Sequence, residues 1–253
     1  MSERFVAELE EMISARRKTT SPLYQTILAG KATQRLLQTF VIQRWPIKSW
    51  WTRNLTGVAS RIDDVEIRRG IIENAYEEET GGLSGSRRHL LSFEDFGRSV
   101  GVDPPSLPTA ERFPETDALV AHNKRACCDS SVHFTEGVAS VLLLMEGQPP
   151  ITDTSGQSML AVMRDTYRLP DWGWEFFAHH ASSDATSEGG VSELEDEHTQ
   201  PLRQILDRYC DTPELREGAR RSLETAIELR HAHFDAILRE AYDPAEPVFR
   251  YTG

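Results

Sequence analysis

The sequence predicts an all-α protein, and three observations carry that expectation. Apolar residues recur at three- and four-residue spacing in segment after segment. No stretch keeps the two-residue alternation of a half-buried strand, and the breaks between segments carry the glycine, proline and Asp/Ser signals of helix ends. Segments of this kind bury their apolar stripes against one another, so a helical bundle follows.

The first helix should cover about 3–17, where Phe5, Leu9 and Met12 or Ile13 form a stripe among charges. Ser21-Pro22 restarts the chain with a cap and a proline in the first turn. A long helix over about 32–60 follows, with Leu36, Leu37, Phe40 and Val41 inward and a kink expected at Pro46. Trp45, Trp50 and Trp51 read as core, with Trp50 or Trp51 able to wall a pocket. Residues 62–79 begin at an Asp63-Asp64 cap and stop at Gly81-Gly82. The next helix covers 86–100. The proline-rich loop from Asp103 to Pro108 changes neither composition nor pattern, so it reads as a connection within one domain with its core at about 20–242. One helix is expected over about 115–146 and a shorter one over about 156–168. The aromatic run Trp172 to Phe177 leads into His179 and His180, and helices over about 191–209 and 212–242 precede an irregular tail from Asp243.

Composition narrows the function. A formal charge of −12 and a pI near 5.2 repel nucleic acid and anionic membrane surfaces. The charged first residues lack an apolar signal core, and no segment has the length and hydropathy of a membrane span, so a soluble, cytoplasmic protein is expected. Cys127 and Cys128 are adjacent and Cys210 is remote, which is neither a disulfide framework nor a zinc spacing. There is no phosphate-binding glycine loop and no nucleophile elbow. A homodimer is the default assembly.

What remains is histidine and carboxylate. Glu77, Glu78 and Glu79 close a helix at its negative dipole end, where an acidic side chain costs about 0.3–1 kcal/mol. A bound cation would offset that, and His89 lies ten residues after Glu79; a solvated acidic turn is the plain alternative. Glu146 is another carboxylate at a helix end. Phe177, His180 and Asp184 share one helix face, and the phenylalanine turns that face inward, as a metal-binding pair or a hydrogen-bonded core pair. Glu195 with His198 and Glu228 with His231 have the Glu-x-x-His spacing of ferritin-like sites but sit amid dense surface charge, while His133 and Glu136 have the reverse spacing and could line a pocket.

Taken together, Asn74-x-x-x-Glu78-Glu79, the glycines, and His89-Leu90-Leu91 running on through Phe96 to Gly101 resemble the superfamily of TenA thiaminases, pyrroloquinoline-quinone synthase and the heme-oxygenase-like di-iron oxidases. Glu146-Gly147 and Phe176-Phe177-x-x-His180-x-x-x-Asp184 fit the same pattern. The resemblance implies a heme-oxygenase-type bundle of about seven to nine helices around a small-molecule pocket. In its oxidase branch, one or two non-heme irons use dioxygen, with an external electron donor where one is needed, to modify amino-acid-like metabolites or fatty acids. It assigns Glu79 and His89 to one iron, with Glu78 as the alternative favoured by the Asn74 spacing, Glu146 as a bridging or completing ligand, and His180 with Asp184 to the other. Arg44 and Lys48 would hold a substrate carboxylate. Two positions depart from the oxidase pattern: Ser187 stands where a further histidine is expected, with His198 eleven residues later, and Arg44, Lys48 and Arg53 occupy the stretch where an early glutamate is expected. A metal-free oxidase, a TenA-like hydrolase using Cys127 or Cys128, and a non-catalytic binding protein are the alternatives.

Overall fold

A computed structural model of the chain describes residues 2–147, 158–181 and 193–253. Among them every regular element is a helix, joined by one isolated backbone bridge between Thr33 and Val248. The helices are α1 (Ser2–Ala15), α2 (Pro22–Leu28), α3 (Gln34–Ser49), α4 (Trp51–Ala59), α5 (Val65–Thr80), α6 (His89–Ser99) and α7 (Pro114–Cys128). Next come α8 (134–146), α9 (159–166), α10 (Asp171–Ala181), α11 (Glu193–Tyr209) and α12 (Pro213–Ala241). The longest, α12, is the spine: α1, α2, α3, α7 and α8 all pack along it.

The caps explain most boundaries. Ser21, Thr33 and Thr212 each accept a hydrogen bond from the backbone N–H three residues on, and Asp64 accepts from Glu66 and Ile67. α5 ends at Gly81, whose φ of 66° is the left-handed conformation that glycine adopts without strain.

Two long helices expected from the sequence are divided. The 115–146 segment breaks at Asp129, whose carboxylate accepts from the Ser131 N–H and hydroxyl and stabilises a turn; His133 then caps α8 through its ring. His133 is therefore a cap, and it is not among the residues that line the cavity described below. The 32–60 segment divides at Trp50 instead of Pro46, which lies inside α3. Helix α6 starts at His89, later than expected, because residues 81–88 form a loop tied to Glu77. Both α8 and α9 contain a wide π turn, at Val138–Leu143 and Val162–Thr166. The tail lies along the body, with the Phe249 N–H on the Ala32 carbonyl and the Tyr251 N–H on that of Tyr167.

The buried apolar side chains form two main clusters. One gathers α1, α4, α5, α8, α11 and the first part of α12. The other gathers α2, α3, α6, α9, α10 and the end of α12, with a chain of edge-on rings from Phe40 through Phe96 to Phe177. A cavity lies where helices of the two clusters meet.

Candidate metal centre

The acidic end of α5 fans out, because successive helix residues point roughly 100° apart. Glu77 turns into the loop, accepting from the backbone N–H of Leu83 at 2.7 Å and of Ser84 at 3.2 Å and from the Ser84 hydroxyl. Burial opposes its ionisation, but the donors from Ser84 and Leu83 outweigh it and hold the carboxyl below its usual range. Glu79 turns outward to Arg88 at 2.8 Å and the Thr52 hydroxyl at 2.9 Å. Glu78, between them, meets His89 Nδ1 at 3.0 Å. Burial alone would depress the imidazole; the hydrogen bond and charge of Glu78 prevail and raise it.

Glu78 and Glu146 both line the cavity of about 100 Å³, with Lys18, Arg44, Lys48 and Trp51 around them and Tyr24, Phe40, Phe93, Phe176 and Phe177 as ring walls. His89 lines a smaller hollow of about 20 Å³, room for about one water, that shares Lys48, Glu78 and Phe176 with the cavity. Lys48 sits over the Phe176 ring at 4.9 Å, between the two spaces. Burial pulls its ammonium down, as does Arg44, while Glu78 and Glu146 oppose. Lys18, in the short turn before α2, is pulled down to about 7 by burial and then by Lys48, Arg44 and Arg230, with Glu146 opposing.

Asn74, one turn before Glu78 on α5, donates from Nδ2 to Glu146 at 3.4 Å. Its Oδ1 is buried with no hydrogen-bond partner, an orphaned acceptor beside two carboxylates. Carboxylates and an imidazole around an unmatched polar pocket fit a ferrous ion better than a soft metal. The described residues supply only part of a shell, since no group of three or more His, Cys, Asp or Glu side chains among them is close enough to hold an ion. Asp184 and Ser187 lie outside the described residues, and His180 is described only as backbone of α10.

The geometry therefore gathers Glu78, Glu146, Arg44 and Lys48 about one space, sets His89 in the adjoining hollow against Glu78, and directs Glu79 to Arg88 instead. The sequence reading missed Lys18, which has no motif, and the locking role of Glu77. The rule that finds Glu78 was present: residues four apart share a face, and Asn74 already faces Glu146. Other candidates lie elsewhere. His231 Nε2 lies 3.1 Å from the Arg16 carbonyl, and Trp50 stacks with Arg53 and Lys124, leaving Trp51 as the cavity tryptophan. Neither Cys127 nor Cys128 lines the cavity, and burial pushes the Cys127 thiol far up, against any role as a nucleophile.

This fold is the heme-oxygenase-like one. It superposes on a TenA homolog from Pseudomonas syringae pv. tomato with a TM-score of 0.70 over 93% of each chain at 14% identity. A heme-oxygenase-like domain of unknown function from Shewanella denitrificans gives 0.64 over 94% of this chain and 91% of that one, at 16% identity. A family model for iron-containing redox enzymes matches residues 38–231, and the chain belongs to that family; it is an oxidoreductase. It is similar to a 4-aminobenzoate synthase of Nitrosomonas europaea, 25% identical over 221 residues that cover 83% of this chain and 81% of the relative. A 4-aminobenzoate synthase of Chlamydia muridarum is 27% identical over 150 residues, 59% of this chain and 61% of the relative. Among the described residues no helix is long and apolar enough to cross a membrane.

Proposed function

We propose that the protein is an iron-dependent oxidase or oxygenase, with one or two irons, that uses dioxygen on a small carboxylate-bearing metabolite. The observation that carries this reading is the convergence of Glu78, paired with His89, and Glu146, steadied by Asn74, on one cavity with a basic wall. Glu78, His89 and Glu146 would hold iron, with His180 and Asp184 completing the set as the family resemblance assigns them. Iron bound there supplies the one-electron chemistry that dioxygen activation requires. The protein's own part is to position and to insulate. Asn74 orients Glu146, the rings exclude water, and Lys48 offers a proton beside Glu78 where reduced oxygen would need one. Arg44 supplies positive charge for the substrate carboxylate, and Lys48, which the family resemblance pairs with it, adds to the positive potential of the same wall. The relatives' name agrees with a small carboxylate at such a site, since 4-aminobenzoate, the product it names, carries a carboxylate on a ring.

The test is expression with ferrous iron without air, metal analysis, and an optical spectrum on admitting oxygen. Iron at one or two equivalents and a transient new absorption are expected. Protein with near-zero iron under those conditions overturns the reading.

A further inference from the structure

Arg44 is 6% exposed, yet among the described residues its guanidinium has neither a carboxylate partner nor a hydrogen-bond acceptor. Its contact is the Phe234 ring, 5.6 Å away, which stands edge-on to Tyr24 at 5.1 Å. A buried guanidinium normally has an anion or several acceptors, because desolvating an unpaired charge is costly. Arg44 faces the cavity, and Lys18 lines the same space. Lys48 lies four residues on along α3, about 6 Å of helix rise, beside Glu78. The polar wall thus has two stations roughly one six-membered ring apart, with Phe40, Phe93 and Phe177 flanking them. Size limits the occupant too: about 100 Å³ is of the same order as the roughly 150 Å³ of an apolar cavity that accepts benzene, which is room for about one ring.

We propose that Arg44 and Lys18 form a carboxylate clamp, and that the substrate is a compact monocarboxylate whose apolar body is no larger than one ring, its reacting end turned to Lys48 and Glu78. This rests on the oxidase reading for the reacting end, while the clamp is a property of this chain's own residues. It excludes long-chain acids and organic cations. It also divides the work of the basic side chains, so that Arg44 and Lys18 grip while Lys48 serves the reacting end.

The experiment is calorimetric titration of the full chain, stripped of metal by chelation, with benzoate, its neutral isostere benzamide, and dodecanoate. Benzoate should bind at least about tenfold more tightly than either. Arg44→Gln should lose that tenfold preference and Lys18→Gln should weaken benzoate several-fold, both leaving benzamide unchanged. Because the unliganded guanidinium is unpaired, Arg44→Gln should melt no lower than the parent; a lower melting temperature with benzoate binding intact would show a structural role and overturn the clamp. Equal binding of benzoate and benzamide, or dodecanoate matching benzoate, would overturn the substrate class. Iron content measured separately keeps the two ideas apart: an iron-loaded protein that ignores benzoate sinks the clamp alone, and one that binds benzoate but never iron sinks the oxidase alone.

Discussion

Three adjacent carboxylates play three different roles, and single substitutions should separate them. Glu78→Gln is expected to lose most bound iron, because the amide cannot act as an anionic ligand paired with His89, whereas Glu79→Gln should keep it; metal content of the two proteins decides this. Equal iron in both would reverse the assignment. A second residue-scale effect belongs to His233, fully buried on the inner face of α12. The Thr116 hydroxyl donates to Gln43 Oε1 at 2.8 Å, so His233 Nδ1, 3.0 Å from Thr116, must be the donor, and Nε2 is left unprotonated without a partner. Burial, with Arg44 adding to it, holds this imidazole well below its usual value. The unfolded chain therefore binds one more proton below pH ~6.5, and stability falls as pH drops, by about 1.4 kcal/mol per unit until the folded value is reached. His233→Gln should remove about one proton from that slope in denaturant titrations between about pH 7 and 5. At this scale the sequence was a partial guide. The four-residue step from Asn74 pointed to Glu78, but nothing marks Lys18 or the buried Gln43–Thr116–His233 relay, whose members lie far apart in the chain.

At the scale of elements, the helices were legible from their stripes and caps, and the misplaced breaks have a common cause. Apolar periodicity continues through Cys127, Val132 and Phe134, so only the Asp129 turn and the packing around it reveal that α7 stops. That packing depends on close approach. A Cβ on Gly57 would stand 2.8 Å from both the Cys127 carbonyl oxygen and Cys128 Sγ, and one on Gly137 would stand 2.6 Å from the Ala126 oxygen. Backbone atoms cannot yield as side-chain tips do. Gly57→Ala should therefore cost about 1–3 kcal/mol of stability in chemical denaturation, despite its better helix propensity. A variant as stable as the parent would show that α4 can move away from α7 freely.

At the scale of the molecule, net charge and interior charge have opposite signs. The chain carries −12 overall, yet Lys18, Arg44 and Lys48 gather around one space in which Glu78 and Glu146 are the only acidic wall residues among those described. Composition could not show this, because it averages over surface and interior. The fold class was legible, since it depends on patterns that repeat along the whole chain. The cavity was not, since its wall takes one or two residues from each of several helices that meet only after folding.

The wide turn at Val138–Leu143 lies just before Glu146. A π turn holds one residue more than the α turn it replaces, and each residue advances a helix by roughly 100°. Because the extra residue is absorbed within the turn, winding the same residues as a regular spiral would swing Glu146 about a quarter-turn away from Asn74, with little change in buried apolar area. Loss of the wide turn would thus show up in ligand aim rather than in folding, which ties the winding of residues 138–143 to the carboxylate three positions beyond them.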